Sequence, residues 1–215
     1  MDFERMVHLA AQKVLPQHAN EGYPPLVTVY MRHAPVQVGD DGKPTAPLTL
    51  DGRVLDAAQK LGAWADLIAI PSNTPHFFLD QIAEAAQCTI VNMADVTVAE
   101  IQRRDTDRVG LIGLGVPKIY SERLGEIGID PLIASDEGRR KLDDAIIRLM
   151  EGKEGDQERS DARATLQEVR DQKAEVTILG CTEIPLLLGD NALADDLVSP
   201  AALLAEEVVR RAIAD

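Results

Sequence analysis

The sequence predicts an α/β fold built on parallel sheets. Short runs of strand length, Leu67–Ile70 and Val176–Leu179 among them, are almost continuously apolar, as strands covered on both faces are. Each of these two runs is followed by a small or helix-breaking residue and then by a helix start. Strand-type and helix-type segments alternate along the whole chain.

Taken in order, Asp2–Leu15 reads as an amphipathic helix with Phe3, Met6, Val7, Ala10 and Val14 on one stripe, Asp2 as N-cap and Pro16 as its stop. Pro24-Pro25 introduces a short strand, Leu26–Tyr30. Residues 31–50 carry Gly39, Gly42, Pro44 and Pro47 and read as a long mobile loop, the kind that often faces a substrate. Arg32 at its start is either a carboxylate ligand or an exposed loop cation. A helix over Asp51–Ala63 turns Leu55, Ala58 and Leu61 inward, and the Leu67–Ile70 strand follows.

Cys88–Met93 is another strand, with Cys88 read as a buried structural thiol. A helix over Val96–Gln102 leads to the strand Val109–Leu114 and the turn Gly113-Leu114-Gly115 before a helix over Pro117–Leu124. That turn lacks the third glycine of a dinucleotide site, so it reads as a helix start that can meet a small anionic group. Ile129–Ala134 is a strand, Asp136–Met150 a helix, Glu151–Asp156 a break and Ser160–Asp171 a charged, solvated helix. After the Val176–Leu179 strand come a short helix at Pro185 and an acidic loop, Asp190–Asp196. The last helix runs to Ile213, with Ser199 as N-cap and Pro200 at its first position.

Composition narrows the function. With 215 residues, 45% of them hydrophobic, the chain can bury one large core or two small ones. Its 36 acidic against 22 basic residues leave a net charge of −14, which repels phosphates and argues against nucleic acid or an anionic membrane surface. No signal peptide and no apolar run of membrane-spanning length is visible, so a reducing cytoplasm is expected, where a free thiol persists. The two cysteines have no metal-ligand spacing.

The candidate site residues follow two of the strands. At the carboxyl end of Val176–Leu179, after Gly180, stand Cys181, Thr182 and Glu183. At the end of Leu67–Ile70, after Pro71, stand Ser72, Asn73 and Thr74. Ligands of open α/β sheets bind just outside such strand ends. Cys181 lies 109 positions after Ser72, close to half the chain. A half-length offset suggests two similar α/β halves facing each other across a cleft, each offering one nucleophile-type side chain. His76 reads as a hydrogen-bonding residue at a helix start rather than a base. Glu183 either perturbs the Cys181 thiol or caps its own helix.

Ile70-Pro71-Ser72-Asn73-Thr74-Pro75-His76 and Leu179-Gly180-Cys181-Thr182-Glu183-Ile184-Pro185 resemble the paired signatures of the cofactor-independent aspartate/glutamate racemase family, and the likeness covers most of the chain. The resemblance implies two pseudo-symmetric parallel-sheet α/β domains, here 1–97 plus 199–215 and 98–198, with the site in the cleft between them. It implies a homodimer that racemises a small acidic amino acid with no cofactor and no metal. One thiolate would take the α-proton and a thiol on the far side would return one. Cys181 and Ser72 then stand at the catalytic positions. Asn73, Thr74, Thr182 and Glu183 would bind substrate, with Lys153 of Lys153-Glu154-Gly155 on a carboxylate.

Two departures shape the expectation. Ser72 stands where the family usually has cysteine, as in a one-cysteine branch that carries threonine there and acts on L-substrates. Members also open with a strand and a Gly-Gly-Met-Gly-Pro turn, and this chain begins at the helix after it, so a first domain without that strand is expected. The alternative readings are a one-cysteine decarboxylase of the same superfamily and a catalytically degenerate binder of a small ligand.

Overall fold

A computed structural model describes residues 2–16, 24–39 and 45–214. In chain order the helices and strands are α1 (Asp2–Val14), α2 (Gly52–Gly62), β1 (Leu67–Ala69), α3 (Leu79–Ala86), β2 (Thr89–Val91), α4 (Met93–Arg104) and β3 (Val109–Ile112). These are followed by α5 (Lys118–Glu126), α6 (Asp136–Met150), α7 (Asp156–Asp171), β4 (Val176–Leu179), α8 (Ile184–Leu188), β5 (Leu197–Val198) and α9 (Pro200–Ala212). A 3₁₀ turn, Thr74–Phe78, precedes α3. The chain divides into two compact units, residues 1–93 with 204–215, and residues 94–203.

In the first unit β1 and β2 pair in parallel, Leu67 opposite Thr89 and Ala69 opposite Val91. Ile68 packs with Val54 and Ala58 of α2 and Ile82 and Ala86 of α3. Asp51 starts α2: its carboxylate accepts the Arg53 N–H at 2.9 Å, which satisfies one otherwise orphaned donor. The same carboxylate holds the Arg53 guanidinium at 2.7 Å. These contacts keep the Asp51 carboxyl well below the usual range. The α1 stripe buries Val7, Ala10 and Ala11 against Ala205 and Val209 of α9, whereas Val14 lies at the surface.

The strand expected at Leu26–Tyr30 is not formed. Among the described residues nothing pairs with it, and Leu26, Val27, Val29 and Tyr30 are exposed. A strand needs a ladder partner to satisfy its backbone, and this segment is held by side chains instead. Thr28 and Tyr30 donate their hydroxyls to the Glu4 carboxylate, each at 2.9 Å. A groove of about 230 Å³ is lined by this segment, β1 and α1. The long loop is tied at its ends: Val36 forms an antiparallel bridge with Leu50, and the Gln37 N–H donates to the Thr49 carbonyl at 2.9 Å. Residues 40–44 of that loop lie outside the described residues.

The second unit is a three-layer sandwich. Its parallel sheet has the order β3-β4-β5, and every residue of β3 and β4 is buried. Ile112 and Leu179 face Leu142 and Ile146 of α6 and Leu166 and Val169 of α7. Val109, Leu111, Val176 and Ile178 face Ile101 of α4 and Ile119, Tyr120 and Leu124 of α5. Burial on both faces explains why these strands read as continuous apolar runs.

Several elements differ from the sequence reading: α4 starts at Met93 rather than Val96, and β2 covers only Thr89–Val91 of the expected Cys88–Met93. Ile129–Ala134 makes only one bridge, Leu132 to Gly110, because the chain turns away into α6. Helix α7 begins at Asp156 rather than Ser160, since the Glu158 carboxylate reaches back to the Gly155 N–H at 2.7 Å and caps the first turn. The two-residue strand β5 was not foreseen; its Val198 pairs with Ile178. Among the described residues no helix is long and apolar enough to cross a membrane.

Helices α2 and α3 meet at Gly62, where a Cβ would stand 1.7 Å from the Ala86 carbonyl oxygen. Gly62→Ala is therefore expected to destabilise the chain by about 2 kcal/mol or more in urea unfolding. Gly52→Ala, where nothing lies within 4 Å, should stay within about 0.5 kcal/mol of the wild type.

Candidate active site

Cys181 is placed by the junction of two strand ends. Strands β3 and β4 stay in register to Ile112 opposite Leu179, and the Gly180 N–H adds one more bond to the Ile112 carbonyl at 2.7 Å. A Cβ on Gly113 would meet Pro117 Cγ at 2.3 Å and the Gly180 carbonyl oxygen at 2.9 Å. The two turns thus touch backbone to backbone, and only glycine fits. Cys181 is the first residue past this contact.

The Cys181 Sγ–H donates to Glu183 Oε2 at 3.0 Å, and the Thr182 hydroxyl donates to the same oxygen at 2.9 Å. Burial, and then the Glu183 charge, push the thiol up to about 12. The backbone N–H groups of Glu183 and Leu114 act in the opposite sense without overcoming this. At neutral pH Cys181 is a half-buried thiol hydrogen-bonded to the Glu183 carboxylate. Of the two roles open to Glu183, the geometry selects contact with the thiol; its side chain makes no capping bond.

Two neighbours of this thiol, and one group at the glycine turn, escaped the sequence reading. Leu114 supplies a backbone N–H. Tyr120 is fully buried, and its phenol is driven up by burial and by Cys181. Asp143 accepts the Gly115 N–H at 2.7 Å, so the protein's own carboxylate occupies the glycine turn where an outside anion was expected. Gly115 sits at φ +61°, the left-handed region glycine allows. The usable signal was the glycine pair Gly113 and Gly180, which only a parallel β3–β4 pairing brings together.

Ser72 occupies the matching place in the first unit, at the carboxyl end of β1. It is half-buried, and its N–H donates to the Ile70 carbonyl at 2.8 Å. Asn73 and Thr74 follow, half-buried, where the 3₁₀ turn starts. The Ser72 carbonyl lies 2.8 Å from His76 Nδ1, and the Met93 N–H donates to His76 Nε2 at 3.1 Å. His76 is therefore engaged on both nitrogens. Cys88 lies half-buried on the core of this unit, its thiol raised by burial.

Thus Cys181, Thr182 and Glu183 converge on one carboxylate oxygen, and Ser72, Asn73 and Thr74 form one turn. Lys153 joins neither group. Its ammonium is exposed and paired with Glu151 at 2.9 Å in the turn between α6 and α7. Helix α7 leads into β4 and so runs back against it, which leaves the start of α7, and Lys153 just before it, toward the carboxyl edge of the sheet where Cys181 lies. Arg32 is exposed. Among the described residues no three His, Cys, Asp or Glu side chains are grouped to hold a metal ion.

Comparison with known proteins places the chain among enzymes of the racemase and isomerase type. The chain belongs to the Asp/Glu/hydantoin racemase family, whose model matches residues 3–208. A candidate Asp/Glu racemase from Yersinia pestis has the same fold, with a TM-score of 0.72, 23% identity, and coverage of 99% of this chain and 93% of that one. An aspartate racemase homologue from Pyrococcus horikoshii superposes with a TM-score of 0.74 at 22% identity, covering 98% of this chain and 92% of that one. Glutamate racemase from Francisella tularensis, crystallised with D-glutamate, gives 0.53 at 17% identity over 76% of this chain and 64% of that one.

The state of the thiol can be measured directly. Alkylation of Cys181 by iodoacetamide at neutral pH should be slow and should rise as the pH increases toward 12. Glu183→Gln removes the nearby charge, lowers the thiol's pKa and should speed alkylation about tenfold for each pH unit of that fall, read by mass spectrometry.

Proposed function

We propose that the chain is a cofactor-independent racemase or epimerase of an acidic amino acid, aspartate or glutamate, working by α-proton transfer. The observation that carries the reading is the Cys181 thiol at the carboxyl end of β4, hydrogen-bonded to the Glu183 carboxylate. A thiol is suited to carbon acids because its charge is diffuse and its pKa can be moved by its surroundings.

In this reading Glu183 takes the sulfur's proton when substrate enters, and the thiolate removes the α-proton from one face. The substrate ammonium compensates for the charge that keeps the resting thiol protonated. The Ser72 hydroxyl acts on the opposite face as the weaker partner, since an alcohol gives up its proton less readily than a thiol. Asn73, Thr74 and Thr182 hold the amino and carboxylate groups. Lys153 is released from Glu151 to take a carboxylate; as an exposed pair, that contact costs little to break. The active form is a homodimer working in the cytoplasm.

The same resting protonation favours a second reading. A thiol that stays protonated at neutral pH carries the one proton that a one-cysteine decarboxylase delivers to one face of a strongly basic, enolate-like intermediate. Carbon dioxide release from a disubstituted malonate would identify that activity, and deuterium uptake at Cα of aspartate or glutamate would identify the first.

In deuterium oxide, Cys181→Ala should abolish α-proton exchange, and mass spectrometry of the recovered substrate measures it. Ser72→Cys should raise racemisation by about tenfold or more, because a second thiol stands where a poor acid stood. No gain on either acidic amino acid would overturn the two-sided mechanism.

A further inference from the structure

His76 is a buried imidazole between two backbone groups in the first unit. The Met93 N–H can only donate, so His76 Nε2 must present its lone pair. The Ser72 carbonyl can only accept, so the proton resides on Nδ1. The two partners together define a neutral ring in one tautomer; an imidazolium would turn Nε2–H against the Met93 N–H. Met93 opens α4 just after β2, and Ser72 follows β1. The ring therefore ties the ends of two paired parallel strands to each other.

We propose that His76 is a positioning residue for Ser72, acting through the Nδ1–H bond to its carbonyl. The role rests on the reading of Ser72 as the second proton-transfer group. The backbone of Ser72 has two anchors, the short turn to the Ile70 carbonyl and this imidazole. The first fixes its N–H and the second its carbonyl, and between them they set where the Cα–Cβ bond points. A hydroxyl that must reach one face of an α-carbon is sensitive to displacement of that bond. The neighbouring 3₁₀ turn is kept by its own bond, His76 N–H to the Asn73 carbonyl at 3.0 Å, whatever the ring does.

Two substitutions separate the two bonds. Asparagine reaches the place of Nδ1, so His76→Asn keeps a donor for the Ser72 carbonyl and gives up the Met93 contact. Glutamine reaches the place of Nε2, so His76→Gln keeps an acceptor for Met93 and gives up Ser72. If positioning is the role, His76→Gln should lower kcat for α-proton exchange about tenfold or more with KM changed less than about threefold. His76→Asn should lose less than about threefold in kcat, although each variant loses one hydrogen bond and a similar amount of stability. Equal loss in both variants would mean a structural role only and would overturn the proposal.

A readout free of catalysis accompanies this. In the ¹⁵N-labelled full chain, the His76 ring should show its proton on Nδ1 at neutral pH, the signal being assigned by its loss in His76→Gln. The Ser72 amide peak should shift or broaden in His76→Gln and stay near its wild-type position in His76→Asn. An Nε2–H ring, an imidazolium, or a Ser72 peak that responds alike to both changes would overturn the proposal. Absence of α-proton exchange in the wild type would instead overturn the proposed activity, leaving the tautomer and the Ser72 response to decide this one.

Discussion

The backbone contact between Gly113 and Gly180 is the constraint on which the second half of the molecule turns. Two parallel strands buried on both faces carry their ladder to their last residues, and there the connecting turns must pass each other without side chains. The approach leaves Cys181 as the first side chain past the sheet and brings the Leu114 backbone to its sulfur. Any side chain at either glycine would separate the turns, and the thiol would lose that neighbour.

The electrostatics follow from that placement. A thiol in partial burial already resists ionisation, and a carboxylate 3.0 Å away strengthens the resistance. The protein also spends its glycine-turn amide on Asp143, which leaves no free anion pocket at Gly115. The turn that holds Cys181 thus carries the Glu183 carboxylate, and the glycine turn carries that of Asp143. The first unit is organised differently. There main-chain bonds and one histidine order the turn of the half-buried serine.

Legibility tracked how locally each feature is encoded. Val176–Leu179 could be read as a covered strand because three of its four residues are apolar and the fourth, Thr177, is β-branched, and in the fold it meets neighbours on both faces. Leu26–Tyr30 has the same local character and forms no ladder, because pairing depends on what lies alongside, which local pattern does not contain. Helix α7 starts four residues before the expected Ser160, since Gly155 and Asp156 read as part of a charged break while the Glu158 carboxylate that caps the turn acts only in the folded chain. The two-residue strand β5 is too short for any periodicity to declare it.

By itself the sequence determined the class of fold and the two strand ends with the residues Cys181, Thr182, Glu183, Ser72, Asn73 and Thr74 standing there, because covered strands and the turns after them leave a local signature of residue types. The tertiary structure alone decided that Glu183 receives the thiol's hydrogen bond, that Leu114 and Tyr120 lie beside that thiol, that Asp143 holds the Gly115 N–H, and that His76 joins Ser72 to Met93. Those partners are distant in the chain, or choose among rotamers that sequence leaves equivalent, and only packing brings their atoms within hydrogen-bonding reach.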